Sequence, residues 1–391
     1  MKAANATLSG YGTTIFEAMS ALAREHAAVN LGQGFPDDRG PLALRQAAAA
    51  YVMDGHNQYP PMMGLPALRQ AVAAHDRHHY GLEVDWQTEV LVTSGATEAL
   101  LCCFLGLLEA GDEVVLLEPA YDTYAPVIRR LGAVPRSVRL VPPTWSLPRA
   151  ELAAAFSPRT KLLVLNSPMN PSGKVFTADE LAFLATLVVQ HDAFAVCDEV
   201  YEHLIFGAAR HIPLMTLPGM RERTLRIGSA GKTFSLTGWK VGYITAPAAM
   251  MRPITKAHQF VTFTTPPNLQ HAVALGLGLE DDYFAGLGPQ LARGRDRLAA
   301  GLVALDVPVL PCDGTYFLVL DVTKWLRPDE DDVAFCRRLV VEAGVVLIPM
   351  SAFYEAGAPR HLVRACFCKE EATIDAALQR LHAWAPRGAA R

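Results

Sequence analysis

The chain has 391 residues, 51% of them hydrophobic and 19% charged, with a formal net charge of −4. That balance predicts a well-buried globular protein of two lobes, excludes a disordered chain, and gives no reason to expect nucleic acid or an anionic membrane as a partner. The N-terminal MKAANATLSGYGTT lacks the apolar core of a signal peptide, and the longest strongly apolar run, 99–108, is about half a membrane span, so a cytoplasmic protein is expected.

In chain order, short apolar runs at 89–95, 113–119, 161–168, 193–201, 224–232 and 240–247 read as strands. Amphipathic stretches such as ADELAFLATLVVQH (178–191) lie between them. Strands alternating with helices predict crossover units, and so an α/β fold with a mostly parallel sheet covered by helices on both faces. From about 282 the texture changes to a long charged helix, TYFLVLDV, an acidic-start helix, VVLIPM, HLVRACFC and a final helix. This reads as a smaller α+β lobe, which the Gly- and Pro-rich first residues around LGQGFPDDRGP join. The expected division is a large domain over 46–284 and a small one built from 1–45 and 285–391.

Open α/β sheets bind ligands beyond the carboxyl ends of their strands. Here those ends carry SGATEAL, NSPMNPSG, DEVYEH and SAGK. Asp198 follows the apolar AFAVC, so it is expected to be at least partly buried and to need a partner. With Lys232, Asn170, Tyr201, Ser229 and Lys240 it forms a set that one cofactor uses together, pyridoxal phosphate. The aldehyde needs an amine, and desolvation lowers a lysine pKa enough for it to act as nucleophile and base. A carboxylate favours the protonated pyridine nitrogen, which then withdraws electrons. Gly95, Ala96 and Thr97 open a helix whose free N–H groups suit a phosphate, to which Ser229 would add a hydroxyl and Lys240 a cation.

These segments, together with NQYPPMMGLPALR (57–69), EPAYDTYAP (118–126), GKTFSLTGWKVGY (231–243), HQFVTFTTP (258–266) and LPCDGTYFLV (310–319), give a resemblance running nearly end to end. The chain resembles the class I/II aminotransferases of the aspartate aminotransferase fold, and within them the branch of methionine aminotransferases and kynurenine/glutamine transaminases. The resemblance implies fold type I, with a mostly parallel seven-stranded sheet between helices and a smaller α+β domain. It implies Lys232 as the Schiff-base lysine, Asp198 at the pyridine nitrogen, and Asn170 and Tyr201 at the phenolate oxygen. Tyr121 would stack on the ring, and Tyr59 would reach the phosphate of a neighbouring subunit, making a homodimer with shared active sites. Arg364 would bind the substrate α-carboxylate, and Gly34 would let the backbone approach the substrate. Phe16, Tyr59 and Phe263 suggest an apolar pocket for a large uncharged side chain. Kynurenine-using members carry a histidine after the phenylalanine matched by Phe263; this chain has Thr264, which leans the reading toward methionine.

The expected activity is therefore ping-pong transfer of an α-amino group from a large uncharged L-amino acid to a 2-oxo acid. A carbon–sulfur β-lyase on the same fold is the alternative. No metal is expected. HDRHHY (75–80) reads as a solvated helix face, and RPDEDDVAF (327–335) as helix capping. The seven cysteines, odd in number and without CxxC pairs, read as reduced thiols, with Cys366 and Cys368 packed in the core.

Overall fold

A computed structural model describes residues 2 and 4–385. After a short strand β1 (Val29–Asn30) come β2 (Val90–Ser94), β3 (Glu113–Glu118), β4 (Val134–Arg139), β5 (Thr160–Asn166), β6 (Phe194–Asp198), β7 (Thr224–Ser229) and β8 (Val241–Thr245). These last seven form one sheet in the order β2-β8-β7-β6-β5-β3-β4. All neighbours are parallel except β8, which runs antiparallel to both β2 and β7. Strands buried on both faces read as continuous apolar runs, which is why six of them are legible in the sequence. The seventh, β4, is a mostly exposed edge strand carrying Arg136 and Arg139, so its sequence VPRSVR resembles a loop.

The register explains where the polar groups gather. Asn166 pairs with Asp198, and Asp198 with Ile227, so the carboxyl ends of β5 and β6 are level and β7 runs just beyond them, to Ser229. Because β8 is antiparallel, its beginning reaches this same edge, and Lys240 stands directly before it. After Asp198 the expected strand continuation does not occur. The chain turns instead, Glu202 N donating to Glu199 O at 2.9 Å and Leu204 N to Tyr201 O at 2.8 Å.

Beyond the long helix Asp281–Ala304, β9 (Phe317–Asp321), β10 (Val345–Val346), β11 (Ile348–Pro349) and β12 (Leu362–Cys366) complete the strands. The antiparallel trio β11-β12-β9 carries Arg364 at its centre, while β1 pairs parallel with β10 and so ties the N-terminal segment to the C-terminal one. Asp331 caps the helix Asp332–Ala343, accepting from Ala334 N at 2.9 Å. Cys366 and Cys368 are buried with their sulfurs 3.2 Å apart, and all seven cysteines are free. No helix among the described residues is long and apolar enough to cross a membrane.

One expectation about the surface is overturned in part. In the helix Pro66–Tyr80 the HDRHHY stretch is only partly a solvated face: Arg77 and His78 are exposed, but His75 and Asp76 are only 4% and 2% exposed. The reason is Arg226 on β7, itself buried, which donates to Glu199 at 2.6 Å and to Glu202 at 3.0 Å, and pairs with Asp76 at 2.5 Å. Burial alone would favour a neutral guanidine, but the three carboxylates hold Arg226 firmly charged. Removing it would strand buried carboxylates, so Arg226→Met is expected to cost about 3–5 kcal/mol in urea unfolding. Replacement without loss of stability would show that the cluster contributes nothing to the fold.

Candidate active site

The carboxyl edge of the sheet opens into a cleft of about 470 Å³. Every residue singled out from the sequence lines it except Tyr59 and Phe263. Those two lie together outside it, ring centroids 5.6 Å apart, with Tyr59 80% exposed and Phe263 43% exposed. Within one chain they cover nothing of the cleft.

One end of the cleft is an anion cradle. Gly95 adopts φ +75° to turn β2 sharply into the helix Gly95–Leu107, leaving the first-turn amides of Ala96 and Thr97 without partners inside the helix. A β-carbon on Gly95 would lie 3.4 Å from Lys240 Nζ, so the ammonium already stands over the helix start. Gly242 of β8 lies so near that its own β-carbon would approach the carbonyl carbon of Gly95 to 2.6 Å. Ser229 ends β7 on the same wall.

At the centre, Asp198 is buried, with Oδ2 accepting from Tyr124 Oη at 2.6 Å and its backbone oxygen accepting from Asn166 Nδ2 at 2.8 Å. Its other carboxylate oxygen, Oδ1, is buried without a hydrogen-bond partner among the described residues. Burial raises the pKa of Asp198, against the Tyr124 hydrogen bond and the charge of Lys232. Lys232 follows β7 in the short helix Ala230–Thr233, with Nζ 5.7 Å from the ring centroids of both Tyr201 and Tyr316. Burial lowers its pKa, favouring the neutral amine. Burial also keeps the Tyr201 hydroxyl protonated and hence a donor.

This arrangement fits pyridoxal phosphate. The orphaned Oδ1 needs a cationic N–H, which a protonated pyridine would provide, and the cradle needs an anion. Asn170, at the end of the β5 loop, is held by its backbone N–H donating to Asn166 Oδ1 at 2.7 Å. Tyr121 lines the adjoining wall, edge-on to Tyr124 with centroids 5.9 Å apart.

Arg364 closes the other end. Its Nη1 donates to Asn170 Oδ1 at 2.9 Å and its Nη2 to Gly32 O at 2.7 Å, while Nε is buried without a partner among the described residues. The guanidinium carbon sits 3.9 Å from the Phe317 ring centroid and 5.2 Å from that of Phe16. Gly34 does line the cleft, but what demands a glycine there is Phe317, whose ring a β-carbon would meet at 2.7 Å.

Three contributors escape the sequence reading. Asn166 and Tyr124 orient Asp198, and Asp122 places a second, half-buried carboxyl in the cleft. Asn166 was open to detection as the last residue of a strand ending at the ligand edge. Tyr124 and Asp122 lie in EPAYDTYAP with no signal separating them from ordinary loop residues.

Comparison with known proteins agrees with this geometry. Over 98% of both chains the protein is 46% identical to the probable N-succinyldiaminopimelate aminotransferase DapC of Mycobacterium tuberculosis. Human kynurenine–oxoglutarate transaminase 1 is 38% identical, over 93% of this chain and 94% of its own. A crystal structure of YbdL from Escherichia coli, described as a methionine aminotransferase, superposes with a TM-score of 0.94 at 41% identity, covering 98% of this chain and 100% of that one. The expected architecture is therefore the one observed, the aspartate aminotransferase fold. The profile of the aminotransferase class I and II family matches residues 27–381, and the chain belongs to that family of pyridoxal-phosphate-dependent enzymes.

Proposed function

We propose that the enzyme transfers the α-amino group of a large uncharged L-amino acid, methionine foremost, to a 2-oxo acid, with the cofactor carried covalently on Lys232. The observation that carries the substrate class is the charge inventory of the cleft. Its cations are Lys232, Lys240 and Arg364. Lys240 faces the anion cradle and Arg364 is the natural partner of an α-carboxylate, so this chain leaves none for a carboxylate on the side chain. Asp122 would repel one. Phe16, Tyr121 and Phe317 supply apolar wall instead.

When bound, pyridoxal phosphate supplies the aldehyde that accepts the amino group and the electron-withdrawing ring that acidifies the α-carbon. The protein's residues do the rest. Arg364 fixes the carboxylate through its free edge, orienting the α-carbon toward Lys232 Nζ. Lys232, neutral in its desolvated setting, takes the α-proton and later returns one, as base and then acid. Asp198, aimed by Tyr124 and Asn166, would stabilise positive charge on the ring nitrogen, and Tyr201 with the side-chain amide of Asn170 would hold the ring's phenolic oxygen.

We further propose a homodimer in which the Tyr59–Phe263 pair of one subunit covers the partner's cleft. Its exposed aromatic surface, with Phe260 82% exposed nearby, supports this reading. The split into a large domain over 46–284 and a small one from 1–45 and 285–391, with a cytoplasmic location, completes the proposal. The names of the relatives reported above give the β-lyase alternative no support.

The test is a single turnover with excess L-methionine and no oxo acid. One equivalent of the corresponding keto acid, with loss of the cofactor's aldehyde-form absorption, is expected. Steady release of methanethiol and ammonia would overturn transamination. Conversion of an N-succinylated dicarboxylate but not of methionine would overturn the substrate class.

A further inference from the structure

The buried histidines that overturn the solvated-helix expectation form a cluster that the transamination machinery does not use. His75 and His79 stand one turn apart on the helix Pro66–Tyr80, so both face the same way. His203, in the turn after β6, meets them, with His75 Nε2 and His203 Nε2 2.8 Å apart. One ring nitrogen from each of the three lies within 4.8 Å of the others. Phe284 packs against all three rings at 5.1, 5.2 and 4.8 Å, giving the group a dry floor, while His79 and His203 remain half-buried and reachable from solvent.

We propose that His75, His79 and His203 form a binding site for a zinc-class divalent transition-metal ion, with three imidazole ligands and water in the fourth position. Three neutral nitrogen donors suit zinc, cobalt, nickel or copper and are poor ligands for magnesium or calcium. An ordinary imidazole is mostly neutral at about pH 7, so each ring can offer a lone pair. Two nitrogens on one tetrahedral zinc are about 3.4 Å apart, given Zn–N distances of about 2.0–2.1 Å. The His75–His203 contact therefore has to open by roughly half an ångström, a small ring movement.

Other groupings of this kind are tied to carboxylates, whereas His75 and His203 share an imidazole–imidazole hydrogen bond at 2.8 Å that an ion would have to replace. Glu98, Cys102 and His258 are closed by hydrogen bonds, His258 Nδ1 lying 2.6 Å from Glu98. Glu199 and Glu202 are taken by Arg226, and His78 by Asp281 at 2.7 Å. A metal at the histidine site would clamp the helix Pro66–Tyr80 to the turn bearing Tyr201, which lines the cleft, without entering it.

The test uses holoenzyme freed of metal by a chelator and then titrated with Co²⁺, read by visible absorption, and with Zn²⁺, read by calorimetry. One ion per chain with micromolar or tighter affinity is expected. His79→Ala, at a half-buried position, should weaken binding about 100-fold or more with unchanged circular dichroism, and His203→Ala should do the same. His78→Ala should leave it within about threefold, because that ring is held by Asp281. Absence of saturable binding by the wild type would overturn the site. So would undiminished binding by both His79→Ala and His203→Ala, which would place the ion elsewhere, such as on the cofactor.

Discussion

Replacing Lys232 by alanine is expected to lower kcat for transamination by at least about 10⁴-fold, as befits loss of both nucleophile and proton carrier, while the protein still folds and still binds the cofactor. The fold should survive because Lys232 is a buried amine whose desolvation is a cost, not a source of stability. Cofactor retention should survive because the Gly95–Thr97 amides, Ser229, Lys240 and Asp198 remain. Lys232→Arg makes the argument sharper. Arginine keeps a long nitrogen-bearing side chain but stays protonated and cannot act as a base, so it should be equally inactive. Substantial activity in Lys232→Arg would sink the proton-carrier role. The pKa direction offers a second check on cofactor-free protein. Acetylation by an amine-reactive reagent requires the neutral amine, so Lys232 should react at a pH where exposed lysines are still protonated. The charge of Asp198 raises the Lys232 pKa. Asp198→Asn should therefore move the reactive range to still lower pH, and an upward move would contradict the arrangement.

What was legible in the sequence divides along physical lines. Strands buried on both faces announce themselves by composition, and the residues just past their ends are then fixed by topology. That is why Asp198, Asn170, Ser229 and Lys232 emerge together at one edge. Lys240 is different, because its place depends on β8 running antiparallel, which composition does not reveal; the cofactor's need for a cation at its phosphate assigns it and the register explains it. β4 was hidden because an edge strand need not be apolar. The HDRHHY stretch misled for the opposite reason, since polar residues there face inward to meet Arg226, a partner 150 positions away in sequence. Gly34 was right in location and incomplete in cause, because Phe317 comes from a strand no local pattern connects to it. Tyr59 and Phe263 mark a further limit, because a site shared between subunits is not assembled by one chain.

Arg364→Lys is expected to raise KM about 30-fold or more for every amino donor. The underlying loss is about 2–5 kcal/mol, the range for truncating one partner of a buried charge pair. The scaffold around Arg364 makes the residue irreplaceable by another cation. Two of its nitrogens are spent on Asn170 and Gly32, its plane lies against Phe317, and only the edge carrying Nε stays open. A lysine ammonium is a point donor without a flat face, so it can neither stack nor present two parallel N–H groups. Asn170→Ala should show a smaller KM effect, because it frees Nη1 without removing the fork. The pattern across substrates then decides what Arg364 reads. If it holds the α-carboxylate, methionine, phenylalanine and glutamine must all lose by the same factor, since that group is common to them. If instead the losses differ by more than about tenfold among the three, the arginine is reading side chains, and the orientation of substrate in the cleft has to be reversed.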